Sequence, residues 1–182
     1  MEQIGYTDMR EGDIRFVRYT WVENFRTSHY AGVIPMGDYF RIYHRIIRKL
    51  MDRDGVAIKI AYNPQHPTQI YGFCCYEDGF DIPVLHYIYV KEDFRQLPAK
   101  DDSFKAGIAT LLLKECSINP ELPFYYTFKT GAWARLVKWG GPFSGGVFRP
   151  LLARFDKDDA VSHMKSKSKK QIPHQKENQK CA

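Results

Sequence analysis

Hydrophobic positions along the chain change period several times, and each change marks an element. Ile14 to Val22 is dense in β-branched and aromatic residues and predicts a first strand. A polar, helix-compatible stretch follows over 23–31, then a Gly/Pro break over 32–37. Tyr39, Phe40, Tyr43, Ile46, Ile47 and Leu50 recur at helical spacing, with Arg41, Arg45, Arg48 and Lys49 on the other faces. Asp38 is the expected N-cap and Gly55 the expected terminator. Two strands, 56–62 and 70–77, flank Asn63-Pro64-Gln65-His66-Pro67, which is turn chemistry and predicts a hairpin. An apolar strand over 83–90, a helix over 107–116 and a strand over 123–129 come next. A short helix over 132–139 and an extended piece over 147–155 complete the order. Strand, one or two helices, three strands, helix, strand, helix, strand is an α/β (α+β) order with an antiparallel meander at its centre.

The 182 residues, 44% hydrophobic and 15% aromatic, suit one domain with a sizeable core. From about Lys157 the chain loses aromatic and β-branched residues and gains Lys, Ser, Gln and Asn. The expected division is a folded domain over 1–156 and a basic, disordered tail over 157–182. Of the formal net charge of +6, the stretch from His163 onward supplies six lysines against one glutamate, so the body is close to neutral. The basicity is therefore expected in the tail and not on a folded face. That tail suits contact with nucleic acid or an acidic protein, without base-specific readout. It lacks the interleaved aromatics that stack on single strands.

No apolar run reaches the roughly 20 residues that cross a bilayer, and the polar start resembles no signal peptide, so a cytoplasmic protein without membrane contact is expected. Cys74 and Cys75 are adjacent in a predicted strand and point to opposite faces. No Cys/His cluster has metal-ligand spacing, and free thiols are expected.

The chemistry is concentrated where the strand Leu85-His86-Tyr87-Ile88-Tyr89-Val90 runs into Lys91-Glu92-Asp93-Phe94-Arg95, followed by Lys105-Ala106-Gly107-Ile108-Ala109-Thr110 and a leucine-rich helix. A helix start offers unpaired amides and partial positive charge to an anion, Gly107 permits close approach, and Lys105 adds a charge. This stretch resembles the cofactor motif of the GNAT acetyltransferase superfamily: an apolar strand, V-x-P-x-x-R, then R/Q-x-x-G-x-G/A opening a helix. Val90 to Arg95 matches the first part with Glu92 in place of Pro, and Gly107-Ile108-Ala109 matches the G-x-A core. About nine extra residues follow Arg95, and Phe104 stands where Arg or Gln is usual.

The resemblance implies a GNAT-like single domain, with a mixed, mostly antiparallel sheet of six to seven strands flanked by about four helices. It implies acetyl-CoA as co-substrate, with no metal, and an amine of a protein or small molecule as acceptor. The backbone of Ile88, Tyr89 and Val90 would pair with the pantetheine arm, while Arg95 and the amides of Lys105, Ala106, Gly107, Ile108, Ala109 and Thr110 would hold the diphosphate. His86 stands where many members carry a catalytic Glu. At the usual helical Tyr position stands Val137, so either another residue, with Tyr87 and Tyr126 as candidates, or water protonates the thiolate, or turnover is lost. Arg26, His29 and Tyr30 would border the acceptor pocket. A GNAT-fold binding protein without turnover is the alternative. The short, divergent form is also similar to acetyltransferase-like proteins of tailed phages, which would place it in a host cytoplasm.

Overall fold

A computed structural model describes residues 4–28, 33–78, 80–95, 107–130 and 143–153. The sheet has six strands: β1 (Gly5–Asp8), β2 (Val56–Asn63), β3 (His66–Glu77), β4 (Val84–Val90), β5 (Phe124–Tyr126) and β6 (Gly146–Phe148). They lie side by side in sequence order. The pairs from β1 to β4 are antiparallel, and the pairs β4–β5 and β5–β6 are parallel. Three α-helices occur among the described residues: α1 (Ile14–Arg26), α2 (Met36–Met51) and α3 (Ile108–Glu115). None of these helices is long and apolar enough to cross a membrane.

The central meander and the last two helices follow the sequence pattern, whereas the N-terminal region does not. Ile14 to Val22 is helix, not strand. Val17, Trp21 and Phe25 recur every four residues and are buried, so the aromatic and β-branched content of this window serves a helix stripe. The first strand is instead Gly5–Asp8, a short edge with no alternating pattern, paired with β2 from Gly5↔Tyr62 to Asp8↔Lys59. Asp38 sits inside the first turn of α2 and pairs with Arg41 at 2.6 Å, while Pro35 occupies the cap. The expected extended piece over 147–155 is strand only to Phe148, and Pro150–Ala153 forms a 3-10 turn. The helix expected over 132–139 lies outside the described residues, as does the tail.

Two cores flank the sheet. On one face α1 and α2 bury Val17, Trp21, Phe25, Ile47 and Leu50 against Ile60, Phe73 and Tyr87. On the other, Ile108, Leu112 and Leu113 of α3 pack on Tyr71, Leu85, Val90 and Phe124. Cys75 belongs to the first core, Cys74 and Cys116 to the second, and all three are buried and unbridged. Gly55, at φ +84°, makes the reversal between α2 and β2 in the left-handed region where a side chain is strained.

β4 is irregular at His86. Cys75 pairs with Tyr87 and Tyr76 with Leu85, so His86 is an extra residue with no partner in β3. Leu85 and Tyr87 would share a face in a regular strand, but the bulge sends Leu85 to the α3 core and Tyr87 to the α1/α2 core.

Candidate active site

β4 has seven residues, but its parallel partner β5 engages only the first two, as Val84↔Tyr125 and Leu85↔Tyr126. One further bond, from the Thr127 amide to the Leu85 carbonyl at 3.2 Å, closes the pairing, after which β4 and the chain after β5 part. The C-terminal half of β4 is held by β3 alone among the described strands. Lys91 N–H donates to Tyr71 O at 2.8 Å, and narrow pairs alternate along an antiparallel ladder. Phe73↔Tyr89 is therefore also a bonded pair, which turns the Tyr89 backbone toward β3. The amide and carbonyl groups of Ile88 and Val90 face the open side. Of the three residues Ile88, Tyr89 and Val90, the first and last turn their backbone groups away from β3 and Tyr89 turns its groups toward it. The Val90 carbonyl is already occupied by Arg95 Nε at 2.8 Å, which fixes that guanidinium beside the open edge and 6.0 Å from the centre of the Tyr89 ring.

α3 begins on the face next to this edge, with Ile108 in the same core as Val90. Gly107 is its cap, exposed, with φ −61° and ψ 168°. Any residue adopts that conformation, and a Cβ placed there would meet nothing within 4 Å. The fold itself therefore has no need of glycine at this position. The amide of Thr110 bonds back to the Gly107 carbonyl at 2.9 Å, which leaves those of Ile108 and Ala109 without a helical partner. Lys105 and Ala106 lie outside the described residues.

His86 is enclosed at 1% exposure, with both ring nitrogens engaged. Nε2 lies 3.0 Å from Glu77 Oε2 and Nδ1 lies 3.0 Å from Thr127 Oγ1. Glu77 Oε2 also accepts from Arg53 Nη1 at 3.1 Å, and Arg53 reaches the Leu152 carbonyl at 2.9 Å. An ionised Glu77 can only accept, so Nε2 carries the hydrogen and Nδ1 accepts from the Thr127 hydroxyl. Burial pushes the His86 pKa below its ordinary value, against the opposing pull of Glu77. Its imidazole is a neutral hydrogen-bond acceptor aimed at Thr127.

That neutrality has a measurable consequence. In the unfolded chain the imidazole takes up a proton at about pH 6.5, while the folded site resists until lower pH. Stability is therefore lost as pH falls from about 6.5 toward the folded pKa, at up to about 1.4 kcal/mol per pH unit. Urea midpoints measured from pH 7.5 to 5.5 should fall more steeply for the wild type than for His86→Gln. Parallel profiles would show that His86 is charged in the fold.

The two candidate acids do not join His86 in one cluster. Tyr87 is stacked on Trp21 at 4.8 Å in the α1/α2 core, where burial raises its pKa far above the ordinary range. Tyr126 lies on the opposite face in the α3 core, 5.2 Å from Phe148. Arg26 pairs with Glu23 at 3.6 Å, and His29 and Tyr30 lie outside the described residues. Sequence reasoning missed Glu77, Arg53 and Thr127. The available signal was Glu77 itself, a carboxylate two residues after inward-facing Cys75 in a buried strand. No group of three His, Cys, Asp or Glu suited to a metal occurs among the described residues.

No protein-family model matches the sequence. A search of curated proteins finds no match. Among solved structures, a proposed acetyl transferase from Pyrococcus furiosus is 16% identical, with 99% of each chain covered and a TM-score of 0.50. A predicted acetyltransferase from Clostridium acetobutylicum, solved with acetyl-CoA, is 13% identical over 76% of this chain and 89% of that one, with a TM-score of 0.44. The aminoglycoside 6'-N-acetyltransferase AAC(6')-Ih from Acinetobacter baumannii is 12% identical over 99% and 95%, with a TM-score of 0.40. Only the first superposition is close enough to bear on the fold. Together with the element order and the parted parallel strands, it gives this chain the fold of the GNAT acetyltransferases.

Proposed function

We propose that the chain binds acetyl-CoA where β4 and β5 part and transfers the acetyl group to an amine. The observation that carries this reading is the half-paired β4, whose Ile88 and Val90 backbone groups face an open side close to the exposed cap of α3. An extended pantetheine arm completes such an edge as an added strand. The amides of Ile108 and Ala109, with the α3 dipole, hold the diphosphate, and Arg95 adds fixed positive charge.

His86 is enclosed and its Nδ1 faces Thr127, itself only 5% exposed, so a proton reaches His86 by way of Thr127 Oγ1. As the amine attacks the thioester carbonyl, its proton passes to Thr127 Oγ1 while the threonine hydrogen moves to His86 Nδ1. The new imidazolium is balanced by Glu77 at 3.0 Å. The proton returns along the same path to the departing thiolate, so no tyrosine acid is required.

Titration calorimetry with acetyl-CoA, followed by a thiol-release assay over a panel of amines, tests the reading. Binding heat at micromolar to millimolar ligand is expected. So is an acetylation rate that Thr127→Val lowers by about 10²–10⁴-fold at unchanged acetyl-CoA affinity. Absence of heat at millimolar acetyl-CoA would remove the cofactor. Heat without thiol release on any amine would leave a binding protein.

A further inference from the structure

The near-neutral body conceals a strong division of charge. α1 and α2 carry seven Arg and Lys against two acids, so the rest of the body is net −4. The basicity therefore lies on a folded layer as well as in the tail, contrary to the expectation from composition. Arg26 and Arg41 are neutralised by Glu23 and Asp38. Arg15, Arg18, Arg45, Arg48 and Lys49 form no ion pair among the described residues. Buried Tyr39, Tyr43, Ile47 and Leu50 turn α2 inward, and Arg45, Arg48 and Lys49 are exposed on its outer side.

Between the two helices lies a cleft of about 510 Å³ lined by Glu11, Ile14, Arg15, Arg18, Tyr19 and His44. It is a shallow, open depression and not an enclosed cavity. Arg15 and Arg18 are three apart on α1 and hence neighbours on its surface. His44 joins them from α2, with its ring stacked on Phe40 at 6.1 Å and 26°. Tyr19 leaves 64% of its surface exposed at the rim. Its ring is thereby open to a stacking partner beside guanidinium groups that form no ion pair among the described residues.

We propose that this cleft, with the basic outer side of α2 beside it, binds single-stranded nucleic acid. Phosphates would lie against Arg15, Arg18 and the α2 cations, one base would stack on Tyr19, and Glu11 would accept from an exocyclic amino group. Cations following a backbone, with an aromatic platform for the bases, are the two components of such sites. A duplex would leave Tyr19 idle because its bases are already stacked. An acidic protein surface would meet Glu11 as a repulsion. This assignment does not depend on acetyl transfer, since the cleft shares no residue with β4, β5 or the start of α3.

The test is fluorescence anisotropy of the full chain with a labelled oligocytidylate of roughly 15 nucleotides, whose bases carry the exocyclic amino group, across a salt series. The expected log–log salt slope is about −0.7 for each phosphate engaged. The double variant Arg15→Glu/Arg18→Glu should weaken binding at least about tenfold, and Tyr19→Ala about 5- to 100-fold. Replacing Lys165, Lys167, Lys169 and Lys170 by Gln should weaken it less than the double variant does. All these positions on α1 are at the surface, so melting temperatures should hold, and Tyr19→Ala decides alone if the double variant does not fold. Loss confined to the tail variant would overturn the assignment. So would unchanged binding in Tyr19→Ala, or competition by polyglutamate as effective as that by unlabelled oligonucleotide.

Discussion

Glu77→Ala is expected to cost the fold about 3–5 kcal/mol, as much as truncating a fully buried aromatic side chain. Its Oε2 is shared by Arg53 and His86, and neither partner has water to replace it: the Glu77 side chain is fully enclosed and that of Arg53 is 10% exposed. Removing the carboxylate leaves a guanidinium charge buried and uncompensated, together with an unpaired imidazole N–H. It also loosens the tie that Arg53, just after α2, makes to the Leu152 carbonyl. Glu77→Gln retains an acceptor for His86 but not the charge, and should fall between the two. Equilibrium urea unfolding at pH 7.5 measures this. A loss below about 1 kcal/mol for Glu77→Ala would mean that the three side chains do not share a carboxylate in solution.

Gly107→Asp should separate stability from cofactor binding in opposite directions. Aspartate is a better N-cap than glycine, and its negative charge complements the α3 dipole, so stability should rise by a few tenths of a kcal/mol. Nothing in the fold objects, since the backbone there is ordinary and the space around it is open. A diphosphate seated on the Ile108 and Ala109 amides would meet both a side chain and a like charge. Acetyl-CoA affinity should drop about a hundredfold, and calorimetry beside thermal melts reads both effects on one sample. Unchanged affinity would mean that the diphosphate is held elsewhere.

How far the sequence carried these conclusions depended on the range of the interaction that decides each point. The β2–β3–β4 meander, α2 and α3 were legible because each has its own period over seven or more residues. α1 was misread because Ile14 to Val22 has strand composition, and only the burial of Val17, Trp21 and Phe25 together reveals the helical stripe. β1 is four half-exposed residues whose strand state is imposed by β2. His86 and Gly107 were singled out from their positions in a motif, but the surroundings of His86 were not. Thr127 lies 41 residues from His86, and Arg53 lies 24 from Glu77, distances over which no local pattern operates. The separation of Tyr87 from Tyr126 was equally hidden, because it is fixed by a one-residue bulge at His86 and by the parallel register Leu85↔Tyr126. That the Tyr89 backbone faces β3 was hidden as well, because which carbonyls a strand leaves free is decided by its neighbour's register and not by its own residues.

The adjacent thiols of Cys74 and Cys75 supply a reporter of breathing in the two layers. Each is sealed in a different core, and burial pushes both thiols upward, so neither yields thiolate at neutral pH while its layer is closed. Alkylation of Cys75 therefore times the lifting of α1 and α2 from the sheet, and that of Cys74 times the lifting of α3. Mass spectrometry of the two modified positions, one residue apart in a single peptide, would rank the two halves of the molecule by how often they open.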